Sequence, residues 1–324
     1  MDTKSTVLAY LNQHANQWVT SAELVDELGV SRTAIWKAIQ QLQAHGQTIE
    51  SQSGKGYLYS RGLKLSQAII ESSIKSDWQV EVYDEIDSTN IRAKQLAATN
   101  PGQRTVVIAN QQTAGYGRFG RNFFSPGETG LYLSFLLPIN GQINPGKMTT
   151  ATAVVIAQVL EKLFGVTVEI KWVNDLIVNH HKVTGILSEA VTNFETGTLS
   201  SVIVGIGINL VENDLLAPEL KNKVGALTTQ KKQLDRNQVA SEIIDAFDTM
   251  LPTLDDGNFM DEYRQRSLVI GKNVEVKIGN RVLTGEVETI NDDGALLLKT
   301  ATEVVTVNAG EITKLNLQEG DYRG

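Results

Sequence analysis

The spacing of apolar positions changes twice along this 324-residue chain. Over the first sixty residues they recur every three to four positions, in short runs that fit compact amphipathic helices. The pattern predicts a helix over 4–12 and a second over "SAELVDEL", opening at a capping Ser21 and ending before Gly29. A third runs over "SRTAIWKAIQQLQAHG", capped by Ser31 and stopped by Gly46. "TIESQSGKGYLYS" then alternates around Gly54 and Gly56, the mark of a β-hairpin, with Lys55 at its tip. "RGLKLSQAIIESSI" reads as a linker and short helix. From about Trp78, strand patterns alternate with helical ones. Strands are expected over 105–110, 131–137, 166–172, "DLIVN", "KVTGILSEAV" and "SSVIVGIGINL", and helices over 89–98, 148–164 and "RNQVASEIIDAFDTML". Beyond residue 270 the pattern is purely alternating, from "VEVKI" to "EVVTVN", with turns at Gly279-Asn280 and Asp293-Gly294. The expected architecture is multi-domain α+β: a winged helix-turn-helix over 1–64, a mixed α/β domain over 65–268 and a small β-barrel over 269–324.

Helix, glycine turn, helix is the order in which a second helix enters the DNA major groove. Ser31, Arg32, Thr33 and Lys37 at the start of the third helix, with Lys55 on the hairpin, are the candidate DNA contacts; an ordinary three-helix core is the competing explanation. Trp36 is assigned to that core. A net charge of −8 excludes a protein that coats nucleic acid indiscriminately, but the charge is uneven. Residues 1–64 carry six bases and five acids, whereas the rest carries 23 bases and 32 acids. With no cysteine and four scattered histidines, thiolate chemistry and a protein-only metal cage are excluded from the expectations. Neither a run of 18 apolar residues nor a signal-like amino terminus is present, so a cytoplasmic protein with no membrane partner is expected.

The stretch "QQTAGYGRFGRNFFSPG", 111–127, contains G-x-G-x-x-G at Gly115, Gly117 and Gly120. A dinucleotide fingerprint needs a helix directly after the glycines and an acid about 20 residues on. Here Pro126 and Gly127 forbid the helix and Asn140 holds the acid's place; no Gly-Lys-Ser/Thr follows to make a Walker loop. What remains is a mobile strand-to-strand loop in which glycines admit close approach and Arg118 and Arg121 offer planar donors to phosphate or carboxylate. A solvated surface loop is the plainer alternative; Tyr116, Phe119, Phe123 and Phe124 argue against it.

Four motifs in order, "EIDSTN" (85–90), "QQTAGYGRFGR" (111–121), "KWVNDLIVNHHKVTGILSE" (171–189) and "GIGINL" (205–210), resemble the bifunctional biotin protein ligase and biotin-operon repressor family, and the resemblance covers nearly the whole chain. It implies a class II synthetase-like ligase domain and an SH3-like terminal barrel. It further implies that biotin and ATP, with Mg2+, form biotinyl-5'-AMP. The biotinyl group then passes to a lysine of a biotin carboxyl carrier domain, of acetyl-CoA carboxylase or another biotin-dependent carboxylase. By the same resemblance, the adenylate-bound form is a homodimer that binds operator DNA and represses biotin synthesis or uptake.

Carried over by motif, Ser88, Thr89, Asn90, Gln112, Tyr116, Gly117, Arg118, Lys182 and Gly185 are biotin-binding. Arg118, Arg121, Phe123, Asn174, Asp175 and Asn209 are nucleotide-binding, and Lys182, Arg118 and Asp175 catalytic, with Mg2+ expected near Asp175. Gly207 joins Gly185 as a place of close backbone approach. Ser88–Asn90 equally suit a helix cap and Asn174 a turn, while His180 and His181 are read as turn residues. The chain departs from the family where Tyr116 and Phe119 stand in place of a frequent arginine, Phe123 in place of a tryptophan and Val173 in place of a proline; these bear on how tightly the adenylate is retained. A biotin sensor without ligase activity and a lipoate ligase are the other readings.

Overall fold

The computed structural model describes residues 2–139, 144–192, 198–213, 223–231 and 234–315. Their contacts group into two units, 1–75 with 230–242, and 76–229 with 243–324.

In the first unit, α1 (Thr3–Gln13), α2 (Ser21–Leu28) and α3 (Arg32–Ala44) precede β2 (Thr48–Gln52) and β3 (Gly56–Ser60). Leu8, Leu11, Leu24, Ile35, Ile39, Leu42 and Tyr59 meet in one core, as the three- and four-residue spacing requires. The structure corrects several expectations. The cap of α2 is Thr20, whose hydroxyl accepts from Glu23 N at 3.1 Å, so Ser21 is the first helical residue. A short strand, β1 (Trp18–Val19), pairs with β3 and turns the hairpin into a three-stranded sheet. Trp36 is not core: it is 56% exposed, because Ile35, Ala38 and Ile39 take the inward face of α3. The expected boundary at residue 64 falls inside this unit, since α4 (Gln67–Ser73) adds Ile69 to the same core.

In the second unit a seven-stranded sheet runs in the order β4 (Gln79–Ile86), β5 (Thr105–Gln112), β6 (Gly130–Pro138), β10 (Leu199–Asn209), β9 (His181–Thr192), β8 (Asp175–Val178), β7 (Glu169–Lys171). Only β4–β5 is parallel. Alternation along β6 covers both faces. Leu136 packs with Ala93 and Leu96 of α5 (Thr89–Thr99), and Phe135 stacks on Phe247 of the helix Arg236–Met250 at 3.9 Å between centroids. The helix α6 (Pro145–Phe164) begins three residues earlier than expected, capped by Asn144. The strand expected over 166–172 contracts to Glu169–Lys171, and a helix at Phe259–Gln265 was not anticipated.

Five antiparallel strands close the chain, β11 (Asn273–Ile278), β12 (Arg281–Ile290), β13 (Leu296–Lys299), β14 (Val304–Val307) and β15 (Glu311–Leu315), in the order β14-β13-β12-β11-β15. The fifth, β15, was absent from the expected four and returns to pair with β11. Asn140 and the end of the expected terminal domain, 316–324, lie outside the described residues. Among the described residues no helix is long and apolar enough to cross a membrane.

Candidate functional site

The stretch 112–125 is a hydrogen-bonded hairpin rather than an open loop. Gln112 N donates to Ser125 O at 3.0 Å, Phe123 N to Gly115 O at 2.9 Å and Gly117 N to Arg121 O at 2.8 Å. Its tip is a single 3-10 turn, Arg118–Gly120, with no helix after it, as Pro126 and Gly127 dictate. Phe119 at that tip is 67% exposed and takes the left-handed conformation, φ 59°. The hairpin borders a cavity of about 590 Å3 over the sheet. All residues expected in the ligand site line it, from Ser88, Thr89 and Asn90 through the hairpin to Asn174, Asp175, Lys182, Gly185 and Asn209.

These side chains fall into two clusters. The first is neutral and internally bonded at the start of α5. Gln112 Oε1 accepts from Thr89 N (2.9 Å) and Thr89 Oγ1 (3.2 Å), while its amide nitrogen donates to Ser125 Oγ (2.9 Å). Ser134 Oγ, invisible to motif reading, bonds Thr89 Oγ1 (2.7 Å) and Asn90 Oδ1 (2.5 Å). Asn90 Nδ2 donates to Glu189 Oε2 at 2.7 Å, so both ends of that amide have protein partners. Ser88 occupies the N-cap position of α5, its carbonyl accepting from Arg92 N at 3.0 Å, but its hydroxyl makes no capping bond. Glu189 also accepts from Tyr116 OH (2.8 Å) and from Lys94 (2.8 Å). Burial pushes the Glu189 carboxyl up, but the bonds from Lys94, Asn90 and Tyr116 outweigh it and hold the group below the ordinary glutamate value. Tyr116 is thus fastened to the sheet by its phenol.

The second cluster is charged. Lys182 Nζ pairs with Asp175 Oδ1 at 2.7 Å, and Arg118 donates to Asn174 Oδ1 (3.1 Å) and Gly310 O (2.8 Å). Asn174 in turn donates to Ile186 O at 2.9 Å, so it is both a structural residue and the one that aims Arg118. Arg121 makes a two-pronged contact with Glu311, and Lys223 also lines the cavity. Burial lowers the guanidinium of Arg118 against the pull of Asp175 and Glu311, and it remains a cation at neutral pH. Lys171, 8% exposed, lines the same wall and has its ammonium pulled down by burial. Its motif position was noted from sequence but its role was not. Glu311 and Gly310 escaped because β15 showed no separate pattern.

Three glycines set the spacing between the clusters. A Cβ on Gly205 would lie 2.2 Å from Asn90 Oδ1, and one on Gly207 2.4 Å from the Phe123 ring. What approaches Gly207 is thus an aromatic ring, packed edge-on to Tyr132 at 6.4 Å. Gly185 faces Gly207 across the β9–β10 pair. His180, at φ 64°, is a turn residue as expected, whereas His181 opens β9 one residue before Lys182. Among the described residues no group of three His, Asp or Glu side chains could hold a metal.

In the first unit, Ser31, Arg32, Thr33 and Lys37 are all exposed at the start of α3, and Ser31 caps it by accepting from Ala34 N at 3.2 Å. Lys55 is exposed between β2 and β3, 5.6 Å from the centre of the Trp18 ring.

Comparison with known proteins agrees with this arrangement. Residues 82–209 match the biotin/lipoate A/B protein ligase family, 3–58 an HTH domain and 269–315 the biotin protein ligase C-terminal domain. The bifunctional ligase/repressor BirA of Bacillus spizizenii is 32% identical over 95% of this chain and 98% of its own length. That of Bacillus subtilis is 31% identical over the same shares. A structure of the biotin protein ligase from Aquifex aeolicus in complex with biotin and ATP, 26% identical, superimposes with a TM-score of 0.62 over 72% of this chain and 97% of that one. A helix-turn-helix ahead of this two-cluster cleft, and identity sustained across almost the full length of both curated relatives, identify the chain as a member of the bifunctional biotin protein ligase/repressor family.

Proposed function

We propose that this protein forms biotinyl-5'-AMP from biotin and ATP, transfers biotin to a carrier lysine, and represses transcription when the adenylate is bound. One observation carries the ligase reading: a single cleft joins a neutral hydrogen-bonding cluster to a cluster of cations, Arg118, Arg121, Lys171, Lys182 and Lys223. The neutral cluster suits a ureido ring and the cations suit a carboxylate that must meet a triphosphate.

In the first step a carboxylate oxygen of biotin attacks the α-phosphorus of ATP, the bond to the bridging oxygen breaks, and pyrophosphate leaves. Lys182 and Arg118 hold positive charge where negative charge accumulates, and no enzyme nucleophile is needed. In the second step the lysine amine attacks the acyl carbon and AMP departs with the carboxyl oxygen. Asp175 is the carboxylate assigned to take the amine's proton. A magnesium ion carried on the ATP phosphates would find a protein ligand in the Asp175 carboxylate, which lines the cleft; bound there, it would neutralise phosphate charge. Arg121, Phe123, Asn174 and Asn209 are assigned to the nucleotide, and Ser88, Thr89, Gln112, Tyr116, Gly117 and Gly185 to biotin. Asn90 acts by positioning, since its amide is committed to Ser134 and Glu189.

The finer fold reading is a class II synthetase-like central sheet and an SH3-like barrel, supported by the largely antiparallel sheet flanked by helices and by five strands with β15 folding back on β11. The unit containing α1 to α4 is assigned to operator DNA and the seven-stranded sheet to catalysis, and from the terminal segment Gly310 and Glu311 meet Arg118 and Arg121. The adenylate-bound form is read as a cytoplasmic homodimer whose two recognition helices match a palindromic operator.

The test is to incubate the purified chain with biotin, ATP, Mg2+ and a biotin carboxyl carrier domain of acetyl-CoA carboxylase. One biotin per carrier lysine is expected, with AMP and pyrophosphate released in equal amounts. If the carrier stays unlabelled while biotin still binds, the chain is a sensor and not a ligase. Because the matching family model spans lipoate ligases, lipoate is offered in the same assay; transfer of lipoate in preference to biotin would reassign the substrate.

A further inference from the structure

We propose that Trp36 reads sequence by seating its indole against the 5-methyl group of a thymine in the major groove, an inference that rests on α3 being the helix that faces DNA. Ile35, Ala38, Ile39 and Leu42 bury one side of α3, which leaves Arg32, Thr33, Trp36, Lys37, Gln40 and Gln41 on the opposite, exposed side. Trp36 stands in the middle of that side, one turn from Arg32 and one turn from Gln40. Helix α3 carries no acidic residue, whereas α2 carries Glu23, Asp26 and Glu27. The face is therefore cationic and amide-bearing around one apolar ring, the complement of an anionic groove.

The other three tryptophans have work inside the protein. Trp78 Nε1 donates to Asp248 at 3.1 Å, Trp172 Nε1 donates to Gly294 O at 2.9 Å, and Trp18 lies under Lys55. The Trp36 indole makes no hydrogen bond, ring contact or cation–π contact among the described residues, and it is the one large exposed hydrophobic in its unit. The major groove presents one apolar feature, the thymine methyl, and apolar side chains meet it there; guanine and adenine edges go to arginine and to glutamine. Arg32 and Gln40 flank Trp36 with those two residue types.

The experiment uses the full chain. A duplex is selected from a randomised library in the presence of biotin, ATP and Mg2+, and each thymine of the selected site is then replaced by uracil, which removes only the methyl group. For the unaltered chain, uracil at one or two positions should weaken binding about three- to fivefold, the worth of one buried methyl. Trp36→Ala should weaken the selected duplex about tenfold or more and abolish the uracil penalty at those positions. Trp36→Phe should recover part of both. Affinity for unrelated duplex and its salt dependence should change less than about twofold, because no charge is removed. Carrier biotinylation, measured alongside, should be unaltered and shows that the variants fold.

Unchanged affinity of Trp36→Ala overturns the proposal. So does a loss of affinity that leaves the uracil penalty intact, and so does a loss traced by sedimentation velocity to weaker self-association, which would place a second copy of the chain on this ring. If the unaltered chain enriches no duplex at all, the DNA-binding reading of α3 itself is wrong, a result distinct from any obtained with the variants.

Discussion

At the scale of single residues, the cleft spends stability on positive charge. Lys171 is buried beside Lys182 and Lys223, and burial lowers its ammonium below the ordinary lysine value. A folded-state pKa below the unfolded one means that the unfolded chain binds the proton more tightly, so this group's contribution to stability improves as pH rises from the lowered value toward 10.5. Lys171→Met should therefore remove this rise of stability with pH while slowing adenylate formation. Thermal unfolding and pyrophosphate release, measured on the same sample, check both halves. Glu189 shows the opposite sign. Its carboxyl is held below the ordinary value by Lys94, Asn90 and Tyr116, so its contribution is present above 4.5 and lost as pH falls through the lowered value. Glu189→Gln removes a shared acceptor and should raise the KM for biotin by roughly tenfold, as about 1.4 kcal/mol would, with the KM for ATP little changed. Equal rises in both would mean that the network merely supports the fold.

At the scale of elements, the glycine hairpin and the β9–β10 pair act together. Arg118 leaves the hairpin to reach Asn174 and the backbone of Gly310, so it fastens the tip to two other parts of the same unit. Arg118→Gly should still form adenylate measurably but release it, and bystander lysines in the mixture should become biotinylated. Retention equal to the unaltered chain would remove the hairpin from the mechanism. On the sheet side, Gly207→Ala places a methyl 2.4 Å from the Phe123 ring. A ring can swing aside where backbone cannot, so the variant should fold but bind ATP more weakly. Calorimetric titration with ATP and with biotin separately would show whether the loss falls on the nucleotide. The hairpin itself was legible in the sequence as a site, through its glycines, arginines and missing helix. Its internal ladder was not, because residues 113–124 show no strand alternation, although Gly115–Phe123 and Gly117–Arg121 bonds join the two limbs.

At the scale of the whole molecule, the helix-turn-helix is more than residues 1–64. Its core includes Ile69 from α4, and its contacts extend to 230–242. Deleting residues 1–64 should abolish binding to the selected duplex. It should also lower the melting temperature, because Ile69 and Ile70, both buried, lose the cover of α1. Gel shift and thermal unfolding check the two effects separately, and duplex affinity that survives the deletion would refute the winged-helix reading. The terminal sheet contributes in the same long-range manner, through Glu311 on Arg121 and Gly310 on Arg118.

Local patterning along the chain accounts for which elements form and which chemistry is available. Apolar period set α2, α3, α5 and most sheet strands, the Ser31 cap set the start of α3, and the order of four motifs pointed to the family. Local patterns suffice for these because helix spacing, strand alternation and glycine or proline placement act over a few residues. What faces what came from packing between distant segments. Trp36 turned outward because its neighbours fill the core, and the Asn90 amide is held by Glu189, 99 positions away. Arg121 met a carboxylate from a strand 190 residues on. Such pairings depend on register and packing between distant segments, and a single sequence carries no local periodicity that encodes them.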